Sequence, residues 1–248
     1  MRYSLSIIAV FLTLFFASCE DKDSSRKSAA ETVAEKMEES DSAAVETTKN
    51  NTEDEENEEE TDLGEAYPIP QEELIPFLTQ YGKENPENRV RIITSFGNIE
   101  VTLFRDTPLH RANFIMLVKN GYFDNTYFHR VAPGFVIQGG NSDNEATYEM
   151  RQKVGKYLIP SEFDAGHKHT YGAFSAAKYS EQNVSKASSP FEFFIVMDKG
   201  GSPHLNNDHT VFGRVTSGID VAEKIEQVET GQSEWPIDNI HMDVEIIE

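Results

Sequence analysis

The residue types most able to do chemistry crowd into one stretch, Tyr127-Phe128-His129-Arg130-Val131-Ala132-Pro133-Gly134-Phe135-Val136-Ile137-Gln138-Gly139-Gly140. Arg130 brings a permanently charged fork of donors and Gln138 an amide, with the apolar Phe135 and Val136 between them. Such a set can favour charge or a lone pair that develops during a reaction, but it holds no nucleophile. Taken singly, each residue has an ordinary use. An isolated arginine reads as a surface ion pair, Phe135, Val136, Phe194 and Leu205 as core, and His209 as a hydrogen-bonded structural histidine. His167 and His169 flank Lys168, and a metal site there would need two further ligands that the sequence does not place nearby. No metal or other cofactor is expected. A Gly-x-Ser-x-Gly elbow, a phosphate loop and a Cys-x-x-Cys pair are all lacking, which removes the hydrolase, nucleotide and zinc chemistries they carry.

The elements that must position these residues occupy only part of the 248-residue chain. Arg2 precedes an uncharged apolar run, Leu5 to Ala17, that ends in small residues before Cys19, the layout of a secretory signal peptide over 1–18. Phe16-Ala17-Ser18-Cys19 resembles a bacterial lipobox, with Phe16 where leucine is usual, and implies that Cys19 is lipidated as the first mature residue. Only 17 residues separate Arg2 from Glu20, the short limit for a membrane span. Between Glu20 and Asp62 there are 17 Asp and Glu against 5 Lys and Arg, so 12 of the chain's 21 net negative charges fall in 43 residues. Without large apolar side chains, 19–65 reads as a solvated, self-repelling linker, and its acidic block has neither the ligand spacing nor the turn glycine of a calcium loop. Glu20, Asp21 and Asp23 resemble the export signals of surface lipoproteins. The acidic balance argues for protein partners and against nucleic acid. One cysteine permits no intrachain disulfide.

From 66 to 248 the apolar residues return, enough for one domain. Leu74 to Tyr81 suggests a short helix at its edge. Arg89 to Phe104 alternates as two strands around Ser95-Phe96-Gly97-Asn98, a hairpin. Thr107 as N-cap and Pro108 at the first helical position open a helix to Asn120, with Ala112, Ile115, Met116 and Val118 inward and Arg111 and Lys119 in water. Short β-type runs follow at Phe135–Gln138, Tyr171–Ala176, Phe191–Met197, Val211–Val215 and Asp243–Ile247. A second helix fits Val221 to Val228, with Asp220 and Glu223 at capping-box spacing. Many short strands and two helices suggest a β-barrel closed by helices.

The Tyr127–Gly140 stretch resembles the F-H-R-x-x-P-G-F-x-x-Q-G-G signature of the cyclophilins. Gly172-Ala173-Phe174-Ser175-Ala176-Ala177 is similar to that family's G-x-x-S-M-A strand, Phe193-Phe194-Ile195 to its F-F-I strand, and His209-Thr210-Val211-Phe212-Gly213-Arg214-Val215 to its H-x-V-F-G-x-V segment. The resemblance covers Val90 to Ile247 and implies a closed eight-stranded antiparallel β-barrel capped by two α-helices, with a peptide groove on its outer face. It implies a peptidyl-prolyl cis-trans isomerase, with the catalytic arginine at Arg130 and its partner glutamine at Gln138. The proline pocket would fall on Phe135, Val136, Phe194, Leu205 and His209, with Ala177 offering backbone to the substrate.

Three groove positions depart from the family pattern: Lys178 where asparagine or arginine is frequent, Glu192 where glutamine is usual, and His204 where tryptophan often sits. Lys178 and Glu192, opposite in sign, are expected to pair, sparing Arg130 from capture by Glu192. Asn141 to Phe163 looks like a compact connection. The implied partners are proline-containing unfolded or partly folded polypeptides, met by a monomer lipid-anchored in a bacterial cell envelope, on its periplasmic face or at the cell surface. The alternative is a chaperone module that binds proline segments in the same groove without turnover.

Overall fold

A computed structural model describes residues 67–179 and 184–247. The expected signal peptide, Cys19 and the acidic linker lie outside the described residues. Eight strands pair throughout antiparallel: β1 (Arg89–Thr94), β2 (Gly97–Leu103), β3 (Thr126–Ala132), β4 (Val136–Asn141), β5 (Ala173–Ala176), β6 (Phe193–Val196), β7 (Val211–Ser217) and β8 (Ile240–Ile246). They close into a barrel in the order β1-β2-β7-β5-β6-β4-β3-β8, so no edge is left open. The predicted hairpin is β1–β2, turning between Thr94 and Gly97.

Period-two alternation gives the sheet two apolar faces. Ile137, Phe174, Phe193 and Ile195 point into the barrel with Ile92, Ile99 and Phe128. Val136, Ala173, Phe194, Val196 and Val211 point outward into a second, smaller cluster. Its members are at most 5% exposed, with the partly buried Phe104, Phe135 and Leu205 packed against them.

Among the described residues there are four α-helices: the edge helix α1 (Leu74–Glu84), the two caps α2 (Pro108–Lys119) and α4 (Ile219–Glu226), all expected, and α3 (Glu145–Val154), which was not. α3 lies in the stretch read as a plain connection. It buries only Thr147 and Val154, so no apolar stripe announces it. Thr107 does not cap α2; its hydroxyl donates to the Phe104 carbonyl. The cap comes from far along the chain, where the Glu162 carboxylate accepts the Leu109 and His110 N–H groups, each at 3.0 Å. α4 begins at Ile219, two residues before its expected start, after an N-cap Gly218 with φ 78°, where any Cβ would collide with the Asn98 carbonyl. The capping box does not form, because Glu223 accepts from the Tyr171 hydroxyl and pairs with Lys199.

Arg111 is not in water. α1 packs across α2, and with the barrel on its other side every residue of α2 from His110 to Val118 is buried. The approach is closest at Gly82, where a Cβ would stand 3.0 Å from the Ala112 methyl. There the Arg111 guanidinium donates to the carbonyls of Gly82 (2.7 Å), Asn85 (2.8 Å) and Glu87 (2.9 Å), closing the C-terminal end of α1. Arg111→Met would strand those carbonyls. It is expected to cost about 2 to 4 kcal/mol in urea unfolding; a loss under about 1 kcal/mol would show that α1 holds without this clamp.

Candidate active site

Strand β3 does not keep simple alternation, and the site depends on that. Phe128 pairs with Gly139 and Arg130 with Gln138, leaving His129 as an extra residue in a β-bulge. Without the bulge, Phe128 and Arg130 would share a face. With it, Phe128 enters the barrel core while Arg130 comes out on the face that carries the second apolar cluster. Register then continues sideways: Gln138 opposes Phe194, Phe194 opposes Ser175, and Ser175 opposes Val211. One row across the sheet thus sets a guanidinium, an amide and an aromatic ring side by side.

Around this row lies a recess of about 310 Å³ lined by Arg130, Phe135, Val136, Gln138, Ala177, Lys178, Phe194, Leu205 and His209. These are nine of the eleven groove residues named from sequence. Val136 and Phe194 form a buried floor, while Phe135 and Leu205 stand half-exposed at its sides. His204 is not in the lining; its ring stacks on Phe135, 5.6 Å between centroids, and props that wall from outside. The Ala177 N–H is already given to the Glu192 carbonyl, and its own carbonyl accepts from Ser189. Only a second carbonyl lone pair is left for a ligand, less than the backbone offer expected.

Glu192 stands behind Gln138 rather than in the recess. Its carboxylate accepts from Gln138 Nε2 at 2.9 Å and from Arg151 Nη2 at 3.2 Å, with His129 Nε2 at 3.5 Å. Burial alone would raise its pKa, but His129, Arg151 and Gln138 together hold it below the usual carboxylate range. Arg151 is fixed in turn by the Tyr122 hydroxyl (2.8 Å), the Gly140 carbonyl (3.0 Å) and the face of Phe191. The expected Lys178–Glu192 pair does not exist. Lys178 pairs with Asp208 at 2.9 Å, and Arg151, delivered by the helix that sequence did not reveal, takes Glu192. Being acceptor-only, Glu192 also orients the Gln138 amide, with Nε2 inward.

Arg130 escapes Glu192 but meets another carboxylate. Its Nε donates to Glu234 Oε2 at 2.6 Å, and its Cζ lies 5.9 Å from the centre of the Phe135 ring. Glu234, 104 residues along the chain from Arg130, carried no motif. Trp235 beside it, the chain's single tryptophan, was a usable signal; its ring lies 5.6 Å from His129.

A family model described as cyclophilin type peptidyl-prolyl cis-trans isomerase/CLD matches residues 89–245. The chain belongs to this family. Over 155 residues it is 37% identical to peptidyl-prolyl cis-trans isomerase A of Dickeya dadantii, covering 61% of this chain and 77% of that protein. It is also 37% identical over 158 residues to peptidyl-prolyl cis-trans isomerase-like 2 of Rhizopus delemar, covering 63% of this chain but 28% of that longer protein. A crystal structure of a cyclophilin type peptidyl-prolyl cis-trans isomerase from Cryptosporidium parvum, obtained in the presence of the dipeptide Ala-Pro, superposes with a TM-score of 0.54 at 30% identity, covering 64% of this chain and 99% of that one. The cyclophilin match begins at 89, so α1 precedes it.

His209 completes the recess edge-on to Phe194, with centroids 5.5 Å apart. Burial, then the nearby Lys178 charge, push its pKa down to about 4, against the opposing pull of Asp208. The Lys178 hydrogen bond holds the Asp208 carboxyl below the usual range, so Asp208 is ionised, and the ammonium beside it offsets its pull on His209. His209 therefore presents a neutral ring to the recess at neutral pH. The unfolded chain binds this proton from about pH 6.5 downward and the folded chain only near 4, so stability from this group is full above about 6.5 and lost between those values. In an NMR titration His209 should stay neutral at pH 5.5 and protonate near 4; titration at the ordinary histidine value would contradict the burial described.

Proposed function

We propose that this domain accelerates rotation about X-Pro bonds in proline-containing unfolded or partly folded polypeptides of the cell envelope or secreted from it. In this reading Arg130 is the catalytic residue and Gln138 its partner. The observation that carries the proposal is the single row that brings Arg130 and Gln138 beside Phe194 at the recess. An X-Pro bond resists rotation by roughly 18 to 20 kcal/mol because resonance holds the amide planar. No bond need break, which suits a site without a nucleophile. As the amide twists, the prolyl nitrogen lone pair leaves conjugation and becomes an acceptor. A guanidinium beside it then makes a hydrogen bond that planar substrate cannot, so the interaction favours the transition state. Such a charge-assisted bond contributes about 1.5 to 3 kcal/mol, or roughly ten- to a hundredfold in rate. Phe135, Val136, Phe194, Leu205 and the neutral His209 would hold the proline ring while the acyl side turns. The presence of Ala-Pro with the Cryptosporidium relative supports a proline-containing ligand.

The same proposal places the chain in a bacterial cell envelope as a monomer, with Cys19 lipidated and residues 19–65 as its tether, on the sequence features described. No helix among the described residues is long and apolar enough to cross a membrane, so attachment falls to the N-terminal segment. A holder of proline segments that does not turn them over is the second reading, favoured by Glu234 already occupying Arg130 Nε.

In a protease-coupled assay on a short X-Pro peptide, Arg130→Ala in the full chain should lower kcat/KM about ten- to a hundredfold. A full chain no faster than the uncatalysed peptide would leave only the holder. Palmitate labelling should disappear with Cys19→Ala, and labelling that survives would remove the anchor.

A further inference from the structure

The carboxylate on Arg130 sits on a turn shaped to deliver it. Ser233 and Glu234 both stand in left-handed backbone, φ 63° and 60°, which residues with a Cβ rarely adopt. The turn is closed at its base, where the Gly231 N–H donates to the Trp235 carbonyl at 2.8 Å and the Ile237 N–H to that of Glu229 at 3.0 Å. Trp235 donates its indole N–H to Asn239 at 3.1 Å and lies against His129, the bulge residue that turns Arg130 outward. Both ends of the Arg130–Glu234 contact are thus built from the same corner of the fold.

We propose that Glu234 is a positioning residue for the isomerisation: by accepting from Nε it fixes the plane of the Arg130 guanidinium and leaves Nη1 and Nη2 as the donors for the prolyl nitrogen. The inference rests on the catalytic role proposed for Arg130. A rival effect has the opposite sign. A carboxylate beside the guanidinium also damps its positive charge, and removing it would then speed the reaction. The side chains of Arg130 and Glu234 are 35% and 48% exposed, so solvent screens that Coulomb effect. Orientation is not screened, and an arginine freed at Nε regains rotamers that point its fork away from the substrate.

The test measures kcat and KM on an X-Pro peptide for the full chain, Glu234→Ala and Glu234→Gln, each also in an Arg130→Ala background. Glu234→Ala should lower kcat about three- to tenfold with KM within about twofold, the size of one lost orienting hydrogen bond. Glu234→Gln, whose amide oxygen still accepts from Nε, should recover most of the loss, and neither change should matter once Arg130 is gone. If both substitutions raise kcat, the carboxylate damps and does not position; if both leave it within about twofold, or lower it equally without Arg130, the proposal is overturned. Should Arg130→Ala itself leave the rate untouched, the reading of Arg130 falls and takes this one with it; an Arg130→Ala loss with silent Glu234 variants defeats the positioning role alone.

Discussion

One extra residue in strand β3 decides which way the arginine faces. Because His129 has no partner on β4, alternation is reset between Phe128 and Arg130. The same short strand can then place an aromatic ring in the barrel core and a guanidinium on the outer wall. Everything else in the site is register. Antiparallel pairing carries Arg130 to Gln138 and Gln138 to Phe194, and closure of the barrel keeps that row from slipping. A one-residue slip of β4 would turn Gln138 into the core and bring Ile137 out beside Arg130.

The charges around the row are nearly all paired or neutralised. Glu192 is buried yet ionised because Arg151, His129 and Gln138 surround it, so its charge is spent behind the wall. Asp208 is matched by Lys178, and His209 is kept neutral by burial. Arg130 lines the recess with its guanidinium held at Nε by Glu234. A reaction whose transition state differs from its ground state by one exposed lone pair asks for a single oriented donor beside an apolar cup. More charge in the cup would hold planar substrate as well as twisted.

What the sequence made legible divides along physical lines. The groove residues lie within short motifs, where spacing carries position, and Arg130, Phe135, Val136, Gln138, Phe194, Leu205 and His209 come together as the motif resemblance implied. The strands were visible through alternation except β3, whose bulge breaks the period between Phe128 and Arg130. The helix bearing Arg151 was invisible because it buries too little to leave a stripe. Arg111 was placed in water because an exposed helix face and one covered by another helix carry the same charged residue. The pairing of Glu234 with Arg130 and the actual partners of Lys178 and Glu192 were beyond reach for a common reason: long-range ion pairs depend on where loops land, and neither charge nor spacing records that.

The guanidinium of Arg130 should meet the prolyl nitrogen of a ligand whose ring fills the recess, and a crystal structure of this chain with an Ala-Pro-containing peptide would show whether it does. The ring is expected against Phe135, Val136, Phe194 and Leu205, with Arg130 Nη1 or Nη2 about 3 Å from a prolyl amide turned from planarity or within reach of its nitrogen. A peptide bound elsewhere on the barrel, or a ring seated in the recess with Arg130 turned away toward solvent, would contradict it.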